Sequence, residues 1–78
     1  MSEFLIYGKH LTTWVDSKGK WHDPDSRFAA LNARGVRVSR LADAMSYATK
    51  EDAQEVLNKP GIKARIDRGE ICFDIRRA

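Results

Sequence analysis

The chain has 78 residues, of which 42% are hydrophobic and two are tryptophan. A chain this short buries only about 60% of its unfolded surface, so it holds one core and we expect a single domain over residues 1–78. The single cysteine, Cys72, excludes an intramolecular disulfide framework. No apolar run approaches the ~20 residues of a membrane span and no signal peptide is evident, so we expect a cytoplasmic protein without membrane contact.

The charge is mildly basic. Fourteen lysines and arginines against eleven acidic residues give a net charge of +3, with the two signs interspersed along the chain. An ordinary solvated surface explains this composition. A contact surface for nucleic acid or for an acidic protein is the alternative.

The first predicted strands lie at residues 4–7 and 11–15, which are short and rich in β-forming residues. After them, Asp16 suits the first position of a type I turn and Gly19 suits its left-handed exit. This pattern predicts a hairpin with a three-residue loop and a bulge, which brings Trp21 back beside the end of the second strand.

A short helix at about residues 25–33 is the next expected element. Either Asp23, which precedes a proline, or Asp25 could cap it. Phe28 and Leu31 would then face the core, and Gly35 would end the helix.

The middle of the chain leaves two interpretations open. Residues 36–39 favour a short strand. Residues 41–48 fit a helical apolar stripe, but residues 44–48 also fit a strand. Because a new helix begins just afterwards at Thr49, a strand at 44–48 is the more consistent prediction.

A helix at about residues 50–58 has the clearest start of any element. Thr49 can cap it, and Asp52 stands at the capping-box position three residues on. Pro60 and Gly61 are expected to stop it. The predicted buried stripe comprises Ala53, Val56 and Leu57.

A closing hairpin is predicted from two alternating stretches, residues 62–67 and 71–77, around a two-residue turn at Arg68 and Gly69. This register sets Lys63 opposite Asp74. The inner face would comprise Ile62, Ala64, Ile66, Ile71, Phe73 and Ile75. The outer face would comprise Lys63, Arg65, Asp67, Glu70, Cys72, Asp74 and Arg76.

These elements predict an α+β fold. The expected architecture is a small antiparallel sheet of four to five strands with one main helix, at about residues 50–58, packed on one face. The region at about 25–33 allows a second short helix.

Catalytic and metal chemistry find little support in the sequence. His10, His22 and Cys72 are the only residues of their types, and no nucleophile motif surrounds them. The segment 22–25 offers one imidazole and two carboxylates, which is short of a zinc ligand set. We therefore expect neither an enzyme nor a bound cofactor or metal.

Basic side chains with nearby aromatics are the strongest pointer to function. Arginines recur every three residues at 34, 37 and 40, and further cations gather near the end of the chain. Aromatics among cations can stack bases or anchor a protein interface. The alternative is that the aromatics belong to the core and the cations keep the sheet edge soluble. The candidate binding residues are Lys63, Arg65, Arg68, Arg76, Arg77, Arg34, Arg37, Arg40, Trp14 and Tyr7.

Residues 41–57, LADAMSYATKEDAQEVL, resemble a pattern in small phage and prophage proteins. There a strand ending in aromatic-x-Thr-Lys leads into a capped helix. Residues 4–7 and the turn at 19–21 resemble the leading hairpin of such proteins, and residues 24–38 look like an insertion.

Proteins of this size and build include the anti-CRISPR inhibitors. The resemblance implies a short, single-domain, non-enzymatic inhibitor that binds a host protein or nucleoprotein complex stoichiometrically, as a monomer or homodimer. The basic composition argues against mimicry of DNA charge, so contact with a DNA or RNA backbone or an acidic protein surface is implied instead. No binding motif matches, so no binding residue is carried over. The alternative function is a sequence-independent nucleic-acid-binding module that uses a basic sheet face.

Overall fold

A computed structural model describes residues 3–16 and 18–78 of the protein. A 3₁₀ turn at Leu41–Asp43 accompanies six strands and two helices in this part of the chain. In chain order these are β1 (Phe4–His10), β2 (Trp14–Val15), β3 (Trp21–His22), β4 (Ala29–Ala30), β5 (Ser46–Tyr47), α1 (Lys50–Leu57), α2 (Pro60–Asp67) and β6 (Ile71–Arg77).

Strand β1 is the centre of a four-stranded antiparallel sheet. On one side it pairs along its whole length with β6, from Phe4 opposite Arg77 to His10 opposite Ile71. On the other side β5 pairs with its first half and β4 with its second half. Strands β2 and β3 form a separate two-stranded sheet, in which Val15 lies opposite Trp21. The predicted α+β class and the predicted first hairpin are both confirmed.

The core lies between one face of the sheet and helix α1. Its buried members are Ile6, Leu31, Ala53 and Leu57, with Phe73 among the partly buried side chains packed against them. Gly8 makes room for that phenylalanine, because a Cβ at Gly8 would lie 3.1 Å from Cε1 of Phe73. Of the stripe predicted for the main helix, Ala53 and Leu57 are buried, and Val56 is partly buried against the core.

Helix α1 begins where its capping residue predicts. The side-chain oxygen of Thr49 accepts a hydrogen bond from the backbone N–H of Asp52 at 3.1 Å. This bond satisfies one of the amide groups that the first turn of a helix leaves without a partner.

The helix predicted at about 25–33 is wrong. This segment runs into β4 and then turns back at Asn32, whose side-chain oxygen accepts from the backbone N–H groups of Arg34 and Val36. Gly35 does not end a helix but supplies the left-handed residue of this turn, with φ of +78°. The strand predicted at 36–39 is reduced to one bridge, between Leu31 and Arg37.

The closing hairpin is also wrong, because residues 60–67 form α2. Pro60 is the first helical residue, where its missing N–H costs nothing. At the other end Gly69 has φ of +73° and donates its N–H to the carbonyl of Ile66, while Glu70 donates to Arg65. This pair of bonds is a Schellman motif, so Arg68 and Gly69 end a helix instead of joining two strands.

Strand β6 therefore pairs with β1, and the predicted pair between Lys63 and Asp74 does not form; Asp74 lies opposite Tyr7. Two further strands are shorter than expected. The one predicted at 11–15 covers Trp14–Val15, and the one at 44–48 covers Ser46–Tyr47.

Within the described ranges, no helix is long and apolar enough to cross a membrane.

Candidate functional site

Trp14 lies between two histidines. Its ring centroid is 4.1 Å from that of His10 and 4.4 Å from that of His22, and both pairs are nearly parallel, at 8° and 17°. The hairpin places His22 directly opposite Trp14, while His10 ends β1. Both faces of the indole are therefore covered by imidazole rings.

Each imidazole is held by a carboxylate. Nδ1 of His10 lies 2.7 Å from Oδ2 of Asp25, which also accepts the backbone N–H of His10. Nε2 of His22 lies 2.8 Å from Oδ2 of Asp16. An ionised carboxylate only accepts hydrogen bonds, so these ring nitrogens are the donors. The two bonds fix the orientation of both rings against Trp14.

Arg37 completes the support on the β1 side. Its Nη1 lies 2.8 Å from Oδ1 of Asp25, its Nη2 donates to the carbonyl of Arg27 at 2.9 Å, and its Nε donates to the carbonyl of Gly8 at 3.2 Å. All three nitrogens are engaged. Arg37 is therefore a positioning residue that ties the turn after β4 to the sheet.

These contacts shift the acidity of both carboxyl groups. Burial opposes ionisation of Asp25, but the hydrogen bonds from His10 and the charge of Arg37 outweigh it, so the pKa of Asp25 lies below its ordinary value. The hydrogen bond from His22 and the backbone bond from Lys20 lower the pKa of Asp16. Both groups are thus anions that pair with a histidine.

A cleft of about 340 Å³ opens beside this cluster. We name it the arginine cleft, and its lining includes His10, Trp14, Val15, Arg34, Val36 and Arg65. Arg34 comes from the turn after β4 and Arg65 from α2. Among the described residues neither of them forms a salt bridge, so both guanidinium groups remain available to an anion.

A smaller cleft of about 260 Å³ adjoins the first and shares Trp14 and Arg65 with it. Its lining includes Trp21, which is 71% exposed. An indole that exposed offers one or both of its faces to a partner. The two clefts thus present an exposed aromatic beside unpaired cations.

The structure brings together four of the predicted binding residues, Trp14, Arg34, Arg37 and Arg65. Tyr7 and Arg76 lie elsewhere, on the sheet face opposite the helices. The guanidinium carbon of Arg76 is 4.6 Å from the centre of the Tyr7 ring, and its Nε lies 2.9 Å from Oδ2 of Asp74. This pair is engaged within the chain.

The remaining predicted cations do not join the cleft. Arg40 pairs with Asp43 at 3.2 Å and Arg68 pairs with Glu70. Arg77 lies over the ring of Phe4. Lys63 is exposed on α2. The common sheet face predicted for Lys63, Arg65 and Arg76 is wrong, because the first two belong to a helix.

Sequence reasoning missed the two histidines and Trp21 as members of the site. The hairpin register sets His22 opposite Trp14, so this contact followed from the predicted turn. His10 gave no such indication, because its stacking depends on how residues 11–13 reverse the chain. Among the described residues, no group of three or more His, Cys, Asp or Glu side chains could hold a metal ion.

No protein-family model, curated protein or solved structure matches the chain.

Proposed function

We propose that the protein acts by stoichiometric binding and that the arginine cleft contacts its partner. The observation that supports this proposal most directly is that Arg34 and Arg65 come from separate elements and line one cleft. Neither of them forms an ion pair among the described residues. A guanidinium group offers planar, two-pronged hydrogen bonding to phosphate or carboxylate. The chemistry of the partner is therefore anionic at the point of contact.

The cleft favours binding over catalysis. The imidazole of His10, which lines it, is stacked on Trp14 and hydrogen-bonded to Asp25, so it serves the framework. The described residues of its lining include no serine, threonine, cysteine or lysine that such a histidine could activate. We therefore propose a non-enzymatic role.

The partner that we propose is a nucleoprotein complex of a bacterial host defence, of the kind blocked by anti-CRISPR inhibitors. Support comes from the resemblance of residues 41–57 to small phage proteins. It also comes from the composition of the two clefts, because tryptophan and arginine are among the residues enriched at the hot spots of protein interfaces. A nucleoprotein complex supplies both phosphate and acidic protein surface.

A pull-down from a bacterial lysate tests this proposal. The variant Arg34→Glu with Arg65→Glu reverses both available charges and is expected to lose the partner. The matched control, Arg27→Glu with Lys50→Glu, makes the same change in net charge at residues outside both clefts. Circular dichroism verifies that both variants fold. Equal capture by the two folded variants would contradict the proposal.

A sequence-independent nucleic-acid-binding module is the second candidate. The exposed Trp21 beside Arg65 favours it, since a base stacked on an aromatic side chain contributes about 1–3 kcal/mol. Nuclease treatment of the lysate separates the two functions. A host protein that stays captured after digestion supports the inhibitor, whereas loss of all captured material on digestion supports the module.

A further inference from the structure

Strand β6 has one paired edge and one open edge. At its two ends, Ala78 donates its N–H to the carbonyl of Glu3, and Leu11 donates to the carbonyl of Glu70. In an antiparallel pair, hydrogen-bonded residues alternate with residues whose amides point the other way. The even-numbered residues of β6 therefore bond to β1, and the odd-numbered ones point their N–H and C=O groups outward.

That outward edge has no backbone partner in the described part of the chain. It belongs to a seven-residue strand, equal in length to the central strand. Phe73 and Ile75 lie along it and are only partly buried against the core. A long edge with unpaired amides and partly exposed apolar side chains is a template for another strand.

We propose that a second copy of this chain pairs with the open edge of β6, so that two β6 strands run antiparallel about a two-fold axis at Ile75. In this register Asp74 lies directly opposite Arg76 of the partner subunit, and the symmetry repeats the pair. Opposite charges at facing positions stabilise strand pairing. These two residues occupy a pair without backbone bonds, where the Cα atoms approach to about 4.5 Å.

The neighbouring registers are less favourable. The outward N–H and C=O groups can pair only when odd-numbered residues lie opposite odd-numbered residues. The two-fold axis must therefore lie at a residue and not between two residues. An axis at Asp74 sets this carboxylate against its own copy, which is destabilising. An axis at Phe73 sets Asp74 opposite the partner's Cys72, so that Asp74 gains no cationic partner, although Arg76 lies opposite the partner's Glu70. Asp74 and Arg76 already pair within their own chain at 2.9 Å, and the axis at Ile75 joins two such pairs into one network of four alternating charges.

The dimer would carry two arginine clefts on one continuous sheet. A partner with repeated anionic sites, such as a nucleic-acid backbone, would then be held at two points, which raises the apparent affinity without a new contact. The pairing itself does not depend on what the cleft binds.

Light scattering after gel filtration tests the dimer by its mass. The intact chain is expected at twice its 8.9 kDa mass. Asp74→Arg and Arg76→Asp each place like charges opposite one another, so each variant alone is expected at the mass of one chain. Mixing the two variants makes every facing pair complementary again and is expected to restore the dimer as a heterodimer.

The mixing step controls for misfolding, because an unfolded variant could not recover a dimer. A single-chain mass for the unaltered protein at every concentration would overturn the proposal. Variants that stay dimeric alone, or folded variants that remain monomeric when mixed, would overturn it as well.

Discussion

Asp25 joins His10 to Arg37 in the candidate site. Its carboxylate accepts hydrogen bonds from the backbone and the ring of His10 and pairs with Arg37. The side chain is only 9% exposed, so these partners replace the water it would otherwise bind. The position of the His10 ring against Trp14 and of Arg37 against the sheet both depend on this one group.

Asp25→Asn should therefore destabilise the fold by about 2 kcal/mol near neutral pH, because hydrogen bonds to a charged group contribute about 1.5–3 kcal/mol each and the amide retains part of them. The effect should depend on pH. The folded-state pKa of Asp25 lies below its ordinary value of 3.8, so the stabilisation is fully present above pH 3.8 and is lost as the pH falls through the folded pKa.

Urea unfolding at neutral pH and at a series of acidic pH values measures this difference between the unaltered protein and the variant, which should shrink in acid. Asp43→Asn is the matched control. That carboxylate pairs with Arg40 at the surface and is 48% exposed, so its removal should change stability little. A pH-independent effect of Asp25→Asn would mean that the charge of Asp25 is not what holds the cluster.

At the scale of elements, the sequence contains two turns of the same spacing, and only the first was predicted. Asp16 and Gly19 were correctly predicted to form a three-residue hairpin loop. Asn32 and Gly35 repeat the same spacing and form the same kind of loop, with the side-chain oxygen again accepting two backbone amides. A helix was predicted there because either Asp23 or Asp25 could cap it. The Asp25 carboxylate instead binds His10 and Arg37 from distant positions, which no local pattern reveals.

The alternation in residues 62–67 also had two interpretations. Apolar residues at every second position suit a strand, but Ile62 and Ile66 are also one helical turn apart. Pro60 at the start and Gly69 past the end decide for the helix. Strand β6 kept its predicted alternation, because a two-residue period fixes the faces whichever strand becomes the partner.

Phe73→Ala and Cys72→Ser test these faces in β6. Phe73 packs against the core and over Gly8, so its loss should cost about 3 kcal/mol, near the low end for phenylalanine because the ring is partly exposed. Cys72 lies opposite Lys9 on the face away from the helices, so serine should cost under about 1 kcal/mol. Urea midpoints measure both changes. A larger loss for Cys72→Ser than for Phe73→Ala would mean that the two faces are exchanged.

At the scale of the whole molecule, most of the arginines that the sequence analysis named as candidate binding residues form ion pairs within the chain. In the part of the chain that the structure describes, four of them pair with an acidic side chain, namely Arg37, Arg40, Arg68 and Arg76. The composition predicted a basic contact surface. It could not predict which cations remain without an acidic partner, because this depends on which acidic side chains the fold places beside each cation. The cleft therefore presents two available guanidiniums, not a long basic track.

Two available guanidinium groups predict that binding depends only modestly on salt concentration. When the logarithm of affinity is plotted against the logarithm of salt concentration, each neutralised phosphate contributes about −0.9 to the slope. Contacts from Arg34 and Arg65 alone would thus reduce the affinity about tenfold between roughly 50 and 200 mM salt. Fluorescence anisotropy or calorimetry with the captured partner measures this slope, and Arg34→Gln or Arg65→Gln alone should reduce its size by about 0.9. A loss of about a thousandfold or more would require some six phosphate contacts. Such a loss would favour the nucleic-acid-binding module, with cations beyond the cleft tracking the backbone.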